Sequence, residues 1–167
     1  MDAFFRALQQ PEYIHTLINP LPIYGVALGI IALLAAMLLR KRAAQIPALI
    51  IVFIAALSAW PVAHFGDEGY ERVLSMADED GATWLAVHAH RADTLVWCFY
   101  ALAAVSAVAL VAPGQFPKAE RPLLILTLLL AIVSLAAGGY IAYAGGRIRH
   151  REFRMGPPPP KPAETEH

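Results

Sequence analysis

Long apolar runs, each close to twenty residues, alternate along this chain with short charged stretches. The first, Leu21–Leu39, is stopped by Arg40, Lys41 and Arg42, and the second covers Ile46–Phe65. The third runs from Thr94 to Ala112 and ends at Pro113-Gly114; the fourth runs Pro122–Tyr143, with glycines continuing to Gly146. A helix needs about 20 apolar residues to cross a hydrocarbon layer about 30 Å thick. None of the runs alternates with period two, which excludes a membrane β-barrel. Four helices with almost no polar face do not suit the core of a soluble protein either. The expected fold is all-α: a polytopic membrane protein with a four-helix transmembrane bundle and short interfacial helices.

The punctuation between the runs sets the boundaries. Residues 1–20 read as an N-terminal interfacial segment, with Phe4, Phe5 and Leu8 on the apolar side of a short helix ended by Pro11. The opening Met1-Asp2-Ala3-Phe4-Phe5-Arg6 has no basic n-region, so no cleavable signal peptide is expected. Residues 21–146 read as a four-span membrane domain, with spans at about 21–40, 45–65, 92–112 and 121–145. A loop at 66–91 separates spans two and three. Its first part, Asp67–Ala77, has the pattern of a short amphipathic helix, and Asp78-Glu79-Asp80-Gly81 reads as a turn and helix start. Residues 147–167 form a basic and then Pro-rich tail, expected to be extended and disordered.

Four spans put the N-terminus, the 66–91 loop and the C-terminus on one side, face A. Face B holds two short connections. Arg40-Lys41-Arg42 outweigh Arg6 around the first span, which assigns face B to the cytoplasm and both termini to the non-cytoplasmic side of a cell inner membrane. The arginines after span four argue the other way on that rule.

Composition narrows the chemistry. Basic and acidic residues balance at 13 each, so the partner is the lipid bilayer and not nucleic acid. Cys98 is the one cysteine, which rules out an intrachain disulfide, a Cys-x-x-Cys site and a Cys-x-x-Cys-His haem attachment. No nucleophile–base pair, phosphate loop or paired carboxylates appear in the spans, so no hydrolase or transferase is expected.

The six histidines carry the remaining signal: His15, His64, His88, His90, His150 and His167 all fall on face A. His64 lies in the last turn of span two, His90 at the start of span three, and His150 one turn beyond span four. Three helices therefore bring an imidazole to one membrane level, where ionisable groups are costly and tend to be functional. Interfacial wetting by headgroups is the bland alternative. His88 and His90 cannot both point inward, since two residues turn a helix by about 200°; His90 shares a stripe with Thr94, Trp97 and Ala101 and is the better ligand candidate. Gly138 and Gly139, about two turns below His150, would leave room for a flat macrocycle. Gly25 and Gly29 have the spacing that lets membrane helices approach closely. Arg91, Arg147 and Arg149 sit at the level of the imidazoles and suit the two carboxylates of a b-type haem, or lipid headgroups. Asp93, the acid nearest the third membrane entry, is expected either to pair in the neighbourhood of Arg91 or to orient a ligand histidine's second nitrogen.

With four spans, His64 and His90 on facing helices and Gly138-Gly139-Tyr140 on another, the chain resembles small four-helix membrane b-type cytochromes over residues 20–151. The resemblance implies electron transfer, often between a quinone and a soluble redox partner. It departs from the two-haem pattern, because face B carries no histidine. The expected function is a membrane electron-transfer subunit, more an accessory part of an oxidoreductase complex than an enzyme in itself. It would bind one haem b between spans two and three through His64 and His90, with His88 or His150 as substitutes and a larger redox complex or soluble carrier as partner. Two alternatives stand beside it: a cofactor-free anchor docking through its acidic loop, and a copper or zinc site made from His64, His88, His90 and His150.

Overall fold

The computed structural model describes residues 2–162; Met1 and residues 163–167, including His167, lie outside the described part. The described residues are 86% helical, and no strand occurs among them. Seven α-helices follow one another among the described residues: α1 (Asp2–Ala7), α2 (Pro11–Ile18), α3 (Pro20–Leu39), α4 (Arg42–Leu57), α5 (Ala59–Ser75), α6 (Glu79–Val111) and α7 (Glu120–Arg149). Among the described residues, four stretches are long and apolar enough to cross a membrane: Pro11–Leu39, Arg42–Ser75, Glu79–Gly114 and Pro117–Arg149. This is the architecture of a multi-pass membrane protein.

The helices form two hairpins. In the first, α3 packs on α4 and α2 on α5; in the second, α6 packs on α7. The hairpins join through α4 against α6 and α3 against α7, so α3 and α6 stand on a diagonal of the bundle. Small residues bring α3 and α4 together. A Cβ on Gly25 would lie 2.6 Å from the Ala55 Cβ, and one on Gly29 2.6 Å from Val52 Cγ2. Apolar clusters fill the interior, with Val26, Val52, Phe99, Leu102 and Ala131 in one and Leu33, Leu49, Ala109 and Leu124 in the next. Leu28, Ile31, Leu38, Ile54, Leu129 and Val133 face outward, as lipid contact requires.

The first hairpin is broken in both legs, and each break has a proline four residues on. A proline ring collides with the carbonyl at i−4. Pro22 ends α2 at Ile18 in this way, and Pro61 ends α4 at Leu57. Neither α6 nor α7 carries a proline beyond its first turns, and both run unbroken for 33 and 30 residues. At about 1.5 Å per residue these helices outreach a bilayer core of about 30 Å, so their face A ends project from it.

The expected loop at 66–91 is therefore mostly helix. Only Met76–Asp78 lies outside α5 and α6, because Asp67–Ser75 has a side to bury: Tyr70, Val73 and Leu74 pack on Trp84, Leu85, Val87, Ala144 and Ile148. The N-terminal segment also differs from expectation. It is two helices, and the second, α2, lies along α5 with Gly69 against the Glu12 backbone. Arg72 Nε holds Glu12 Oε1 at 2.7 Å, and Arg72 also donates to Gln10 Oε1.

Asp78 ties the face A end of the second hairpin. Its Oδ1 accepts from the Gly81 N–H at 2.8 Å, capping α6, and its Oδ2 takes Arg154 Nη1 and Arg151 Nε, each at 2.9 Å. Arg154 then donates to the carbonyls of Arg147 and Ile148, which α7 leaves open at its last turn. The Arg154 hydrogen bond and then the Gly81 N–H hold the Asp78 carboxyl down at about 2, and Asp78 raises Arg154 in return. Beyond this knot the tail has no regular structure up to Pro162, and Pro159, Pro160 and Pro162 line a shallow groove of about 390 Å³ on the outside of α6 and α7.

Candidate functional site

Two imidazoles meet inside the face A half of the bundle, and they are His15 and His88. Their ring centres lie 6.3 Å apart with the planes at 86°. His15 comes from α2, which continues α3, and His88 from α6, so the pair spans the diagonal.

The two halves are built alike. His15 Nδ1 lies 2.8 Å from the Val62 carbonyl of α5, and His88 Nδ1 lies 3.0 Å from the Ile141 carbonyl of α7. A carbonyl oxygen only accepts, so each Nδ1 carries a proton, and in the neutral form of such a ring Nε2 keeps its lone pair. Each ring rests on a glycine four residues beyond that carbonyl. A Cβ on Gly66 would come within 3.0 Å of His15 Nδ1 and 3.1 Å of its Cε1. A Cβ on Gly145 would meet His88 Nδ1 and Cε1 at the same 3.0 and 3.1 Å. In a regular helix the carbonyl at i−4 already receives the glycine's own N–H. The missing side chain lets an imidazole from another helix reach the second lone pair of that oxygen.

The surroundings divide by polarity. Toward face B the walls are apolar, with Phe99, Leu102 and Ala59 in the adjoining cluster. Toward face A stand Trp84 and Tyr70 with Arg147 beside them, while Arg91 follows His88 by three residues on α6; both arginines lie on tyrosine faces. The Arg91 guanidinium is 3.7 Å from the Tyr140 ring centre and donates to the Tyr140 carbonyl at 3.0 Å. The Arg147 guanidinium is 3.5 Å from the Tyr143 ring centre, 5.4 Å from that of Trp84, and donates to the Tyr143 carbonyl at 2.7 Å.

His64 and His90, the pair expected from sequence, do not share this interior. His64 is half-exposed, stacks on Trp60 at 5.8 Å and lies 3.5 Å from Glu68 Oε1. His90 is exposed and lines the outer groove with Arg91, Thr94 and the tail prolines. His150 is exposed too, with Nδ1 2.9 Å from Glu152 and its ring stacked on Phe153. Of the sequence candidates, His88 and its neighbour Arg91 stand at the imidazole pair, with Arg147 one turn outward. Arg149 lies 3.4 Å from the Met76 carbonyl, at the turn. Gly138 is packed by Ile23 and Phe99, which take up the space expected for a macrocycle, and Gly139 faces open space. The residues that sequence reasoning passed over are His15, Gly66 and Gly145.

Among the described residues, no three or more His, Cys, Asp or Glu side chains gather where they could hold a metal ion. His64, His88, His90 and His150 thus form no such group. Two imidazoles are too few to enclose a bare ion, but a tetrapyrrole brings four nitrogens of its own and asks for two more ligands. Comparison with protein-family models, curated proteins and solved structures gives no match.

Proposed function

We propose that this protein is a membrane electron-transfer subunit in which His15 and His88 would hold one b-type haem. The observation that carries the reading is the spacing of the two rings. An iron–imidazole bond of about 2.0 Å on each side, plus about 1.1 Å from each nitrogen to its ring centre, separates two axial imidazoles by about 6.2 Å. The observed separation is 6.3 Å.

When bound, the haem supplies a one-electron ferric–ferrous couple. The chain's residues do the rest. Val62 and Ile141 fix the tautomer and rotation of the imidazoles, and a carbonyl on Nδ1–H makes Nε2 the stronger donor. Gly66 and Gly145 let both rings sit back against neighbouring helices and clear the space between them. Phe99 and Leu102 belong to the apolar cluster on the face B side, while Arg147, beside Trp84, lends positive charge on the face A side and Arg91 lends it at the level of the rings. On the positive-inside count at the first span this is the non-cytoplasmic side of an inner membrane, a position suited to exchange with a soluble carrier or a larger redox complex.

A reduced-minus-oxidised absorbance spectrum of the purified protein tests the reading. The α-band of a bis-histidine b-type haem is expected. The 86° between rings further calls for the highly anisotropic low-spin ferric resonance that perpendicular imidazoles give. Protein that carries no haem, and takes none up when haem is supplied, would overturn the proposal.

A further inference from the structure

Among the described residues, two buried polar atoms near the imidazole pair have no hydrogen-bond partner: Trp84 Nε1 and Glu12 Oε2. Trp84 stands one turn before His88 on α6, and Glu12 three residues before His15 on α2. Both lie on the face A side of the rings, about one helical turn outward. Trp84 is only 6% exposed; its cluster neighbours Leu85, Val87, Ala144 and Ile148 offer no side-chain acceptor, and the Tyr70 hydroxyl packed on the same cluster makes no hydrogen bond to it. An indole nitrogen can only donate. Of the four buried side-chain atoms without a partner among the described residues, the others including Arg42 Nη1 and Gln45 Oε1 at the face B end, Trp84 Nε1 is the donor beside the imidazole pair, and an acceptor arriving from outside the chain would satisfy it.

We propose that Trp84 Nε1 donates to a carboxylate of the bound macrocycle, an inference that rests on the haem reading above. A haem held by His15 and His88 would carry two carboxylates, and the face A side, where Trp84 stands, is the nearer to the membrane surface. The Arg147 guanidinium, 5.4 Å from the Trp84 ring, adds positive charge beside the same position. Glu12 stands on the other side of the imidazole pair. Its Oε1 is paired with Arg72 Nε at 2.7 Å and its free Oε2 can only accept, so unlike Trp84 it offers a carboxylate no donor. Trp84 is in this sense a cofactor-positioning residue, outside the axial pair.

The test uses the full-length protein in detergent, loaded with either iron protoporphyrin or its dimethyl ester, which lacks the charged carboxylates. Midpoint potential and the rate of haem transfer to excess apomyoglobin are measured for the wild type and for Trp84→Phe. With protoporphyrin, the variant is expected to keep its bis-histidine spectrum, lose haem about tenfold faster, and show a lower midpoint, because an unneutralised carboxylate favours the ferric state. With the ester, the two proteins should coincide in both measurements. Identical behaviour with protoporphyrin, or a difference that persists in the ester, overturns the proposal while leaving the axial pair intact. A wild type that binds no haem removes both readings together. Should Trp84→Phe fail to fold, the wild type decides alone: the ester must leave about tenfold faster than protoporphyrin, and equal rates sink the idea.

Discussion

The two halves of the histidine site share a chemistry and differ in what carries them. His88 and Gly145 sit on α6 and α7, unbroken helices whose face A ends are knotted by Asp78 and Arg154. His15 sits on α2, an eight-residue helix set off from α3 by Asn19-Pro20, and Gly66 on α5, set off from α4 at Ser58. One half-site is built into a rigid hairpin. The other hangs from a proline pivot and is held sideways by Gly69 and by the Arg72–Glu12 pair. The same imidazole–carbonyl–glycine geometry does not require the same backbone. It requires only that a glycine and an imidazole face each other across a helix pair, and the broken hairpin achieves this by leaning α2 onto α5.

The largest test of that likeness is removal of the ligands. His15→Ala and His88→Ala are each expected to abolish the low-spin spectrum of the haem-loaded protein; a variant that keeps it refutes the equivalence of the two halves. Next come the glycines. Gly66→Ala and Gly145→Ala each drive a Cβ to 3.0 Å from an imidazole, and a loss of about ten- to hundredfold in haem affinity is expected, measured by titration. Gly145→Ala should lie at the severe end, because α6 cannot pivot away as α2 can. The reverse order would remove the rigid-versus-hinged distinction.

The knot comes third. Arg154→Ala should lower Tm by a few degrees and loosen the face A ends of α6 and α7, read by amide hydrogen exchange, with α2 unchanged. Its pH dependence has a definite sign. The Asp78 carboxyl is held at about 2 against an ordinary 3.8, so its contribution is fully present above pH 3.8 and fades as pH falls through 2. Exchange at the Gly81 amide should therefore show no loss of protection between pH 7 and 4 beyond its intrinsic rate, and a loss below. The smallest effect is expected from His64→Ala and His90→Ala. Both side chains are exposed, so stability should stay within about 0.5 kcal/mol and the haem spectrum should not change.

The four spans were legible because lipid demands apolar side chains for twenty residues at a stretch, a constraint written directly into composition. The interfacial ends were harder. Pro11, Asn19-Pro20 and Pro22 read as the boundary of an amphipathic segment, when they divide one continuous hydrophobic column into α2 and α3. That put His15 outside the membrane domain and out of consideration. His64 and His90 looked right by depth alone, yet depth says nothing of rotation: on α5 the inward position at this level belongs to Gly66, and on α6 to His88. A usable signal did exist. Folding each hairpin about its face B turn sets His15 opposite Gly66 and His88 opposite Gly145, a correspondence visible in the numbering. The knot was half legible, in that Asp78 and Gly81 read as a helix start. Arg154 was opaque, because its partner lies 76 residues away in the chain.

Residues 15 and 88 belong to different hairpins, and this has a bearing on biogenesis. The first imidazole leaves the ribosome long before the second, and the helix that backs the second, α7, is made last of the four spans. A nascent chain holding only the first hairpin presents a single imidazole on a hinged arm. Maturation of the pair must wait until the second hairpin has been inserted and laid against the first, which makes lateral docking in the bilayer the committing step for any cofactor loading.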